Sequence, residues 1–166
     1  SQHHGLVCFH GPVVSSLGRP DHENDATECL AVLRGERHHL DLPEQDGPTV
    51  SGVLKGGNLT VLASLVGTPL APKASNEDLW FFEDVQEAPY RLDRSLWQIK
   101  TSGILEGAQG ICLGDFDLDD SDHAAVVAMF REEFDGPVYE GFPAGHRGAL
   151  QMSPVGVRLT LRPNIG

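Results

Sequence analysis

The fold is decided by residues 79–96, which read LWFFEDVQEAPYRLDRSL. The first four residues are large and apolar, and so short a run predicts a buried strand rather than a helix. A helix is predicted to begin near Pro89, because proline suits the first helical turn, and its apolar stripe consists of Leu92, Leu96 and Ile99. Glu83 therefore follows a buried strand, at the carboxyl end where open α/β sheets place their sites. From spacing alone, an acid that caps the following turn is an equally good interpretation.

The rest of the chain alternates short apolar strands with amphipathic helices, which predicts an α/β fold. Strands are predicted over residues 5–9, 49–54, 108–113, 138–139, 153–157 and 158–161, and helices over residues 59–65 and 123–134. Another helix is capped by Asn24 or Asp25, and its predicted apolar face is Ala26, Cys29, Leu30 and Leu33. Residues 44–48 read as a linker rich in turn formers, so we place a domain boundary there.

Composition excludes several classes of function. The 166 residues carry 24 acids against 12 bases, and the net charge of −12 repels nucleic-acid phosphates. No apolar run approaches the roughly 20 residues that a membrane-spanning helix needs. Cys8, Cys29 and Cys112 are widely spaced and form no CxxC pair, which argues against a zinc site or a disulfide framework. The composition is that of an ordinary globular domain in a reducing compartment.

The segment Gly56-Gly57-Asn58 separates a predicted strand from a predicted helix. Backbone N–H groups at such a helix start can hold an anion such as a substrate carboxylate. The segment lacks the glycine fingerprints of nucleotide-binding loops. A tight turn that only glycine can make explains the same residues equally well.

The acids within residues 115–122 have the alternate spacing of a calcium loop. That loop also needs Gly at its sixth position and Glu at its twelfth, where this chain has Asp120 and Val126. We therefore expect a solvated loop that caps the following helix, without a metal. The adjacent His38 and His39 would point to opposite faces of a strand, so they cannot share a metal either.

Five segments, in the same order, resemble motifs of the LD-carboxypeptidase family of serine peptidases, which also includes the microcin-immunity peptidases. They are GLVCFHGP at residues 5–12, KGGNLTVLASLVGTP at 55–69, FEDV and PYRLDR within 82–94, GICLGDF at 110–116 and GFPAGH at 141–146. Together they extend over nearly the whole chain, which makes the resemblance specific. It implies the C-terminal half of such an enzyme, a mixed, short-stranded, barrel-like swivelling domain.

The resemblance also implies roles for particular residues. Glu83 and His146 correspond to two members of a Ser-Glu-His triad, with His146 as the general base and Glu83 as the acid that orients it. Gly56, Gly57 and Asn58 correspond to the motif that lines the substrate cleft. No metal or organic cofactor is implied.

The activity implied by the resemblance is hydrolysis of an L,D peptide bond, which releases the terminal D-alanine of a murein tetrapeptide during cell-wall recycling in the bacterial cytoplasm. The expected partners are this substrate, an upstream nucleophile domain and a second copy of the chain in a homodimer. Arg147 stands where the family has glycine, which puts the substrate preference in doubt. The alternatives are a microcin-immunity-type peptidase that cleaves peptidyl-nucleotides, and a noncatalytic peptide-binding domain. Trp80 and Trp97 fall in a predicted strand and helix rather than in a recognition loop, which weakens the immunity interpretation.

None of the ten serines lies in a Gly-x-Ser-x-Gly turn or in the family's Gly-x-Ser-Asp turn. Ser51 and Ser102 each precede a glycine, but both read as ordinary strand-end or turn serines. We therefore expect the nucleophile on an upstream segment. On this interpretation, residues 1–17 are the tail of the upstream domain, residues 18–48 are a connecting helix and linker, and residues 49–166 are the C-terminal domain.

Overall fold

The structure, a computed structural model, describes residues 7–13, 23–36, 43, 45–145 and 152–162. The candidate residues His38, His39 and His146 lie outside these ranges. In chain order the elements are β1 (Cys8–His10), α1 (Glu23–Leu33), β2 (Val50–Asn58), α2 (Leu59–Leu65), β3 (Asp78–Glu83), α3 (Pro89–Thr101), β4 (Gly110–Leu113), α4 (Asp120–Glu133), β5 (Val138–Tyr139), β6 (Ser153–Val155) and β7 (Arg158–Leu161). The predicted mixed α/β class is confirmed.

Five strands form a sheet in the order β5-β4-β3-β2-β7, and β1 pairs with β6 in a separate two-stranded sheet. Strands β2, β3, β4 and β5 are parallel to their neighbours, whereas β7 is antiparallel to β2. The larger sheet is curled into a half barrel. In its register Asn58 lies opposite Glu83, and Phe82 lies opposite Leu113. The carboxyl ends of β2, β3 and β4 therefore meet at one edge.

Helices α2, α3 and α4 cover one face of the larger sheet. Their apolar side chains pack against Trp80 and Phe82 of β3 in one continuous core. The predicted stripe of α3 is confirmed, since its three residues are all buried: Leu92, Leu96 and Ile99. None of the helices in the described part of the chain is long and apolar enough to span a membrane.

A second core lies on the opposite face of the sheet. Phe81 of β3 stacks on Phe142 with ring centroids 5.0 Å apart, and Cys112 and Tyr139 belong to the same cluster. Because both faces are covered, all six residues of β3 are buried. Side chains alternate along a strand, so Glu83 lies on the face of Phe81.

Several predicted boundaries differ from the structure. Helix α1 begins at Glu23, before the predicted caps Asn24 and Asp25. Two further differences concern β2 and α4. Gly56, Gly57 and Asn58 were expected to form a turn, but they are the last residues of β2 and pair with the end of β3. Pairing with a neighbouring strand here overrides the low strand propensity of glycine and asparagine. Helix α4 begins at Asp120, three residues before the predicted start, because Asp119 caps it by accepting a hydrogen bond from the Asp122 N–H.

The predicted apolar face of α1 is only partly correct. Cys29 is buried, but Leu30 and Leu33 are 49% and 60% exposed. Helical spacing identifies a face that can be buried, but it does not specify whether a neighbouring element covers that face.

A buried ion pair lies at the amino end of β3, at the edge of the sheet away from Glu83. Lys55 Nζ lies 2.5 Å from an oxygen of Asp78, whose side chain is only 1% exposed. The same ammonium donates to the Lys73 carbonyl and lies 5.9 Å from the centre of a Trp80 ring. Burial raises the pKa of Asp78, and the neighbouring Lys55 offsets part of that rise.

Candidate active site

Glu83 is the last residue of the central strand β3, at the edge where the three parallel strands end. Its side chain is 2% exposed, although it is an acid at a strand terminus. The four apolar residues before it fix its place, because they anchor β3 in both cores. Glu83 is therefore held in the interior of the protein rather than free in solvent.

The chain segment that leads to His146 lies against the end of β4, next to Glu83. The Phe142 N–H donates to the Leu113 carbonyl at 2.9 Å, and the Asp115 N–H donates to the Ala144 carbonyl at 2.8 Å. A Cβ atom on Gly114 would lie 2.4 Å from the Ala144 oxygen and 3.2 Å from the Cβ of Glu83. Gly114 thus lies between Glu83 and the segment, and only a residue without a side chain permits this approach.

Gly145 is the last described residue before His146. Its φ of +137° favours glycine, and a Cβ there would lie 2.6 Å from the Cβ of Asp115. The structure therefore positions the chain beside Glu83 up to the residue that precedes His146.

Backbone hydrogen bonds join the loop that follows β3 to the loop that follows β4. The Asp84 N–H donates to the Asp115 carbonyl at 3.3 Å, and the Gln86 N–H donates to the Phe116 carbonyl at 3.1 Å. Gln86 and Asp117 adopt φ values of 52° and 53°, a region that residues other than glycine seldom occupy. Such conformations persist where the surrounding structure imposes them, so this edge of the sheet is rigidly built.

The three residues of the glycine-rich segment have different surroundings. A Cβ on Gly56 would lie 1.9 Å from the Phe81 carbonyl oxygen, so close strand pairing explains this glycine. A Cβ on Gly57 would meet no described atom within 4 Å. Asn58 caps α2, because its Oδ1 accepts a hydrogen bond from the Val61 N–H at 2.9 Å. Gly57 is itself buried, but no described neighbour requires glycine at its position.

Asp84 is a buried acid whose role the sequence reasoning missed. Asp84 lies on the helix side of the sheet and is only 4% exposed. Both of its carboxylate oxygens accept hydrogen bonds from residues where β2 meets α2. Two consecutive acids after a buried strand were the available signal. Because neighbouring side chains alternate in direction, one of the two had to face the helices.

Ser51, Ser102 and Cys112 take part in the hydrogen bonding and packing of the fold. The Ser51 hydroxyl pairs with the Thr160 hydroxyl at 2.7 Å, and the Ser102 hydroxyl donates to the Ile99 carbonyl at 2.7 Å. Burial raises the pKa of the Cys112 thiol, which keeps it protonated and unreactive.

Two acids of the loop over residues 115–122 accept hydrogen bonds from nearby backbone N–H groups. Asp115 Oδ1 accepts from the Asp117 N–H at 2.9 Å, and Asp119 caps α4 as described above. Within the described ranges, no group of three or more His, Cys, Asp or Glu side chains is placed to hold a metal ion.

Comparisons with known proteins agree on one family. A family model described as the LD-carboxypeptidase C-terminal domain matches residues 51–161. A murein tetrapeptide carboxypeptidase of Pseudomonas aeruginosa is 33% identical, and the alignment covers 97% of this chain and 58% of that protein. The crystal structure of a muramoyltetrapeptide carboxypeptidase from Oxalobacter formigenes matches with a TM-score of 0.83 at 33% identity, over 98% of this chain and 60% of that one.

A more distant structure shares the fold. The microcin C7 self-immunity protein in complex with aspartyl sulfamoyl adenosine matches with a TM-score of 0.74 at 20% identity, over 95% of this chain and 58% of that one. The chain thus spans less than two thirds of the length of each of these proteins.

Proposed function

Because the chain belongs to the LD-carboxypeptidase family, we propose that it is part of a serine carboxypeptidase that releases the terminal D-alanine from murein tetrapeptides. The observation that carries the proposal is the buried Glu83 at the carboxyl edge of the sheet, with the segment leading to His146 bonded beside it. The names of the relatives in Pseudomonas aeruginosa and Oxalobacter formigenes support this substrate. We also propose the cytoplasm as the compartment, since murein peptides are recycled there.

In the proposed mechanism, Glu83 orients the imidazole of His146 and stabilises the imidazolium that forms. His146 takes the proton of the nucleophilic serine as the serine attacks the carbonyl carbon, and it then protonates the leaving amine of D-alanine. Water hydrolyses the acyl-enzyme in a second, equivalent round. Burial of Glu83 supports this role, because a carboxylate shielded from water interacts more strongly with an imidazolium.

The nucleophile is proposed to come from a part of the protein outside residues 1–166. Ser51 and Ser102, the two serines followed by glycine, already form hydrogen bonds within the sheet and at the end of α3. The relatives extend well beyond the region that aligns with this chain, which leaves room for a nucleophile domain.

The edge beside the triad is proposed to bind the substrate. The groups proposed to contact the peptide are the backbone at Gly57, where no described atom would obstruct a Cβ, and the amide of Asn58. Gly56 contributes by letting β2 approach β3 closely enough to place these two residues.

The test is to offer the intact protein two substrates, a murein tetrapeptide and a peptidyl-nucleotide, and to follow both products by mass spectrometry. The proposal predicts D-alanine from the tetrapeptide and little cleavage of the nucleotide conjugate. Preferential cleavage of the conjugate would instead support an immunity-type peptidase. Tight binding of the tetrapeptide without any turnover would support a noncatalytic peptide-binding domain.

A further inference from the structure

Asp84 is hydrogen-bonded to Asn58, the last residue of β2, and to Thr60, in the first turn of α2. Its Oδ1 accepts hydrogen bonds from Asn58 Nδ2 at 2.8 Å and from the Val85 N–H at 2.9 Å. Its Oδ2 accepts from the Thr60 N–H at 3.0 Å and from the Thr60 hydroxyl at 2.7 Å. Four such bonds satisfy the carboxylate, which explains how an acid can be buried at this place.

These bonds fix the orientation of the Asn58 amide. Its Oδ1 accepts from the Val61 N–H, and its Nδ2 donates to Asp84. In the flipped amide, the NH₂ group would face the Val61 N–H and the oxygen would face a carboxylate, so both contacts would be repulsive. Nδ2 carries two hydrogens, and among the described residues it donates to Asp84 alone.

We propose that Asp84 is a positioning residue, which holds the Asn58 amide so that an N–H, and not the amide oxygen, is presented to a carbonyl or carboxylate group of the bound substrate. The inference rests on the proposed function, because it needs a peptide bound at this edge. It adds a residue that acts through Asn58, from the opposite face of the sheet to Glu83.

A purely structural role must be distinguished from this one, since Asp84 also holds the first turn of α2 through Thr60. Two variants separate the roles. Asp84→Ala removes both accepting oxygens, and with them the hydrogen bond from Asn58 Nδ2. Thr60→Val is the matched control, because it removes one hydrogen bond to the same carboxylate and leaves the bond to Asn58 intact.

The measurement is kcat/KM for D-alanine release by the intact protein. We expect Asp84→Ala to lower it by about 10-fold or more, the usual effect of losing a hydrogen bond to a charged group, and Thr60→Val to leave it unchanged. We also expect Asn58→Ala to lower it by a similar factor, and Asp84→Ala to have little further effect in the Asn58→Ala background. If the double variant instead loses kcat/KM by the product of the two single-variant factors, the inference is overturned, because Asp84 then does not act through Asn58.

Asn58→Asp provides a second test if Asp84→Ala does not fold. It replaces the donor by an oxygen at a half-buried position and so breaks the same bond from the other side. Wild-type kcat/KM in this variant would overturn the inference, and a loss of about 10-fold or more would support it. Failure of the proposed function is distinct, since the wild-type protein would then release no D-alanine.

Discussion

The contact at Gly114 predicts that one added methyl group separates the two proposed triad members. In Gly114→Ala the new Cβ would lie 2.4 Å from the Ala144 carbonyl oxygen. Carbon and carbonyl oxygen rarely approach closer than about 3.3 Å, so the atoms must move apart by about 1 Å. Glu83 is anchored in the buried strand β3, and we therefore expect the segment that carries His146 to move.

A displacement of about 1 Å at a catalytic group lowers the rate by about 100-fold. We therefore expect kcat/KM for D-alanine release to fall by about 100-fold in Gly114→Ala. Overpacking of this kind also lowers the free energy of unfolding by about 1–3 kcal/mol, which leaves most of the protein folded. The assay is D-alanine release at a temperature well below the melting point, with circular dichroism to confirm the folded fraction.

Gly11→Ala provides the matched control, because its Cβ would lie 3.4 Å from the nearest atom, Met152 Cγ, an ordinary contact. Its three nearest atoms all belong to Met152, so the added methyl group makes no close contact with Glu83 and should leave kcat/KM unchanged. A folded Gly114→Ala protein with kcat/KM within about threefold of the wild type would refute the reasoning, since the expected loss is about 100-fold.

Three further predictions concern the buried polar groups. Lys55→Met leaves Asp78 buried without its cation and should lower the free energy of unfolding in urea by about 3 kcal/mol, whereas no change would contradict the ion pair's role. Because burial raises the pKa of Asp78 above its ordinary 3.8, the folded protein retains a proton that the unfolded chain loses. The unfolding free energy of the wild type relative to Asp78→Asn should therefore decrease as the pH rises from about 4 through the raised pKa, and an increase would contradict this sign. Cys112 should resist a thiol reagent in the native protein and react in denaturant, unlike the exposed Cys8, and equal native rates would show that Cys112 is accessible.

The sequence was most informative where burial determines the pattern. An uninterrupted apolar run with acids at its end is typical of a central parallel strand, and β3 has both features. The stripe of α3 followed from the helical period, and both elements lie where they were predicted. The Gly56-Gly57-Asn58 segment was predicted wrongly because its residues favour turns locally, whereas strand pairing with residues 81–83 decides its conformation.

The candidate site could be predicted only in part for a related reason. Glu83 follows from its position after the strand, but the partners of Asp84 lie 24–26 residues earlier in the chain. No local pattern encodes such a contact, because it depends on the register between β2 and β3. Likewise, Gly114 reads as an ordinary strand-end glycine until the segment that precedes His146 is placed against it.

The central claim is that this chain supplies Glu83 and His146 to a serine carboxypeptidase. The most direct test is mass spectrometry of D-alanine released from a murein tetrapeptide by the intact protein, by Glu83→Gln and by His146→Ala, at equal folded concentration. The account predicts release by the wild type and a loss of about 10³-fold or more in kcat for each variant, with tetrapeptide binding retained. Wild-type turnover in either variant would contradict the proposed triad.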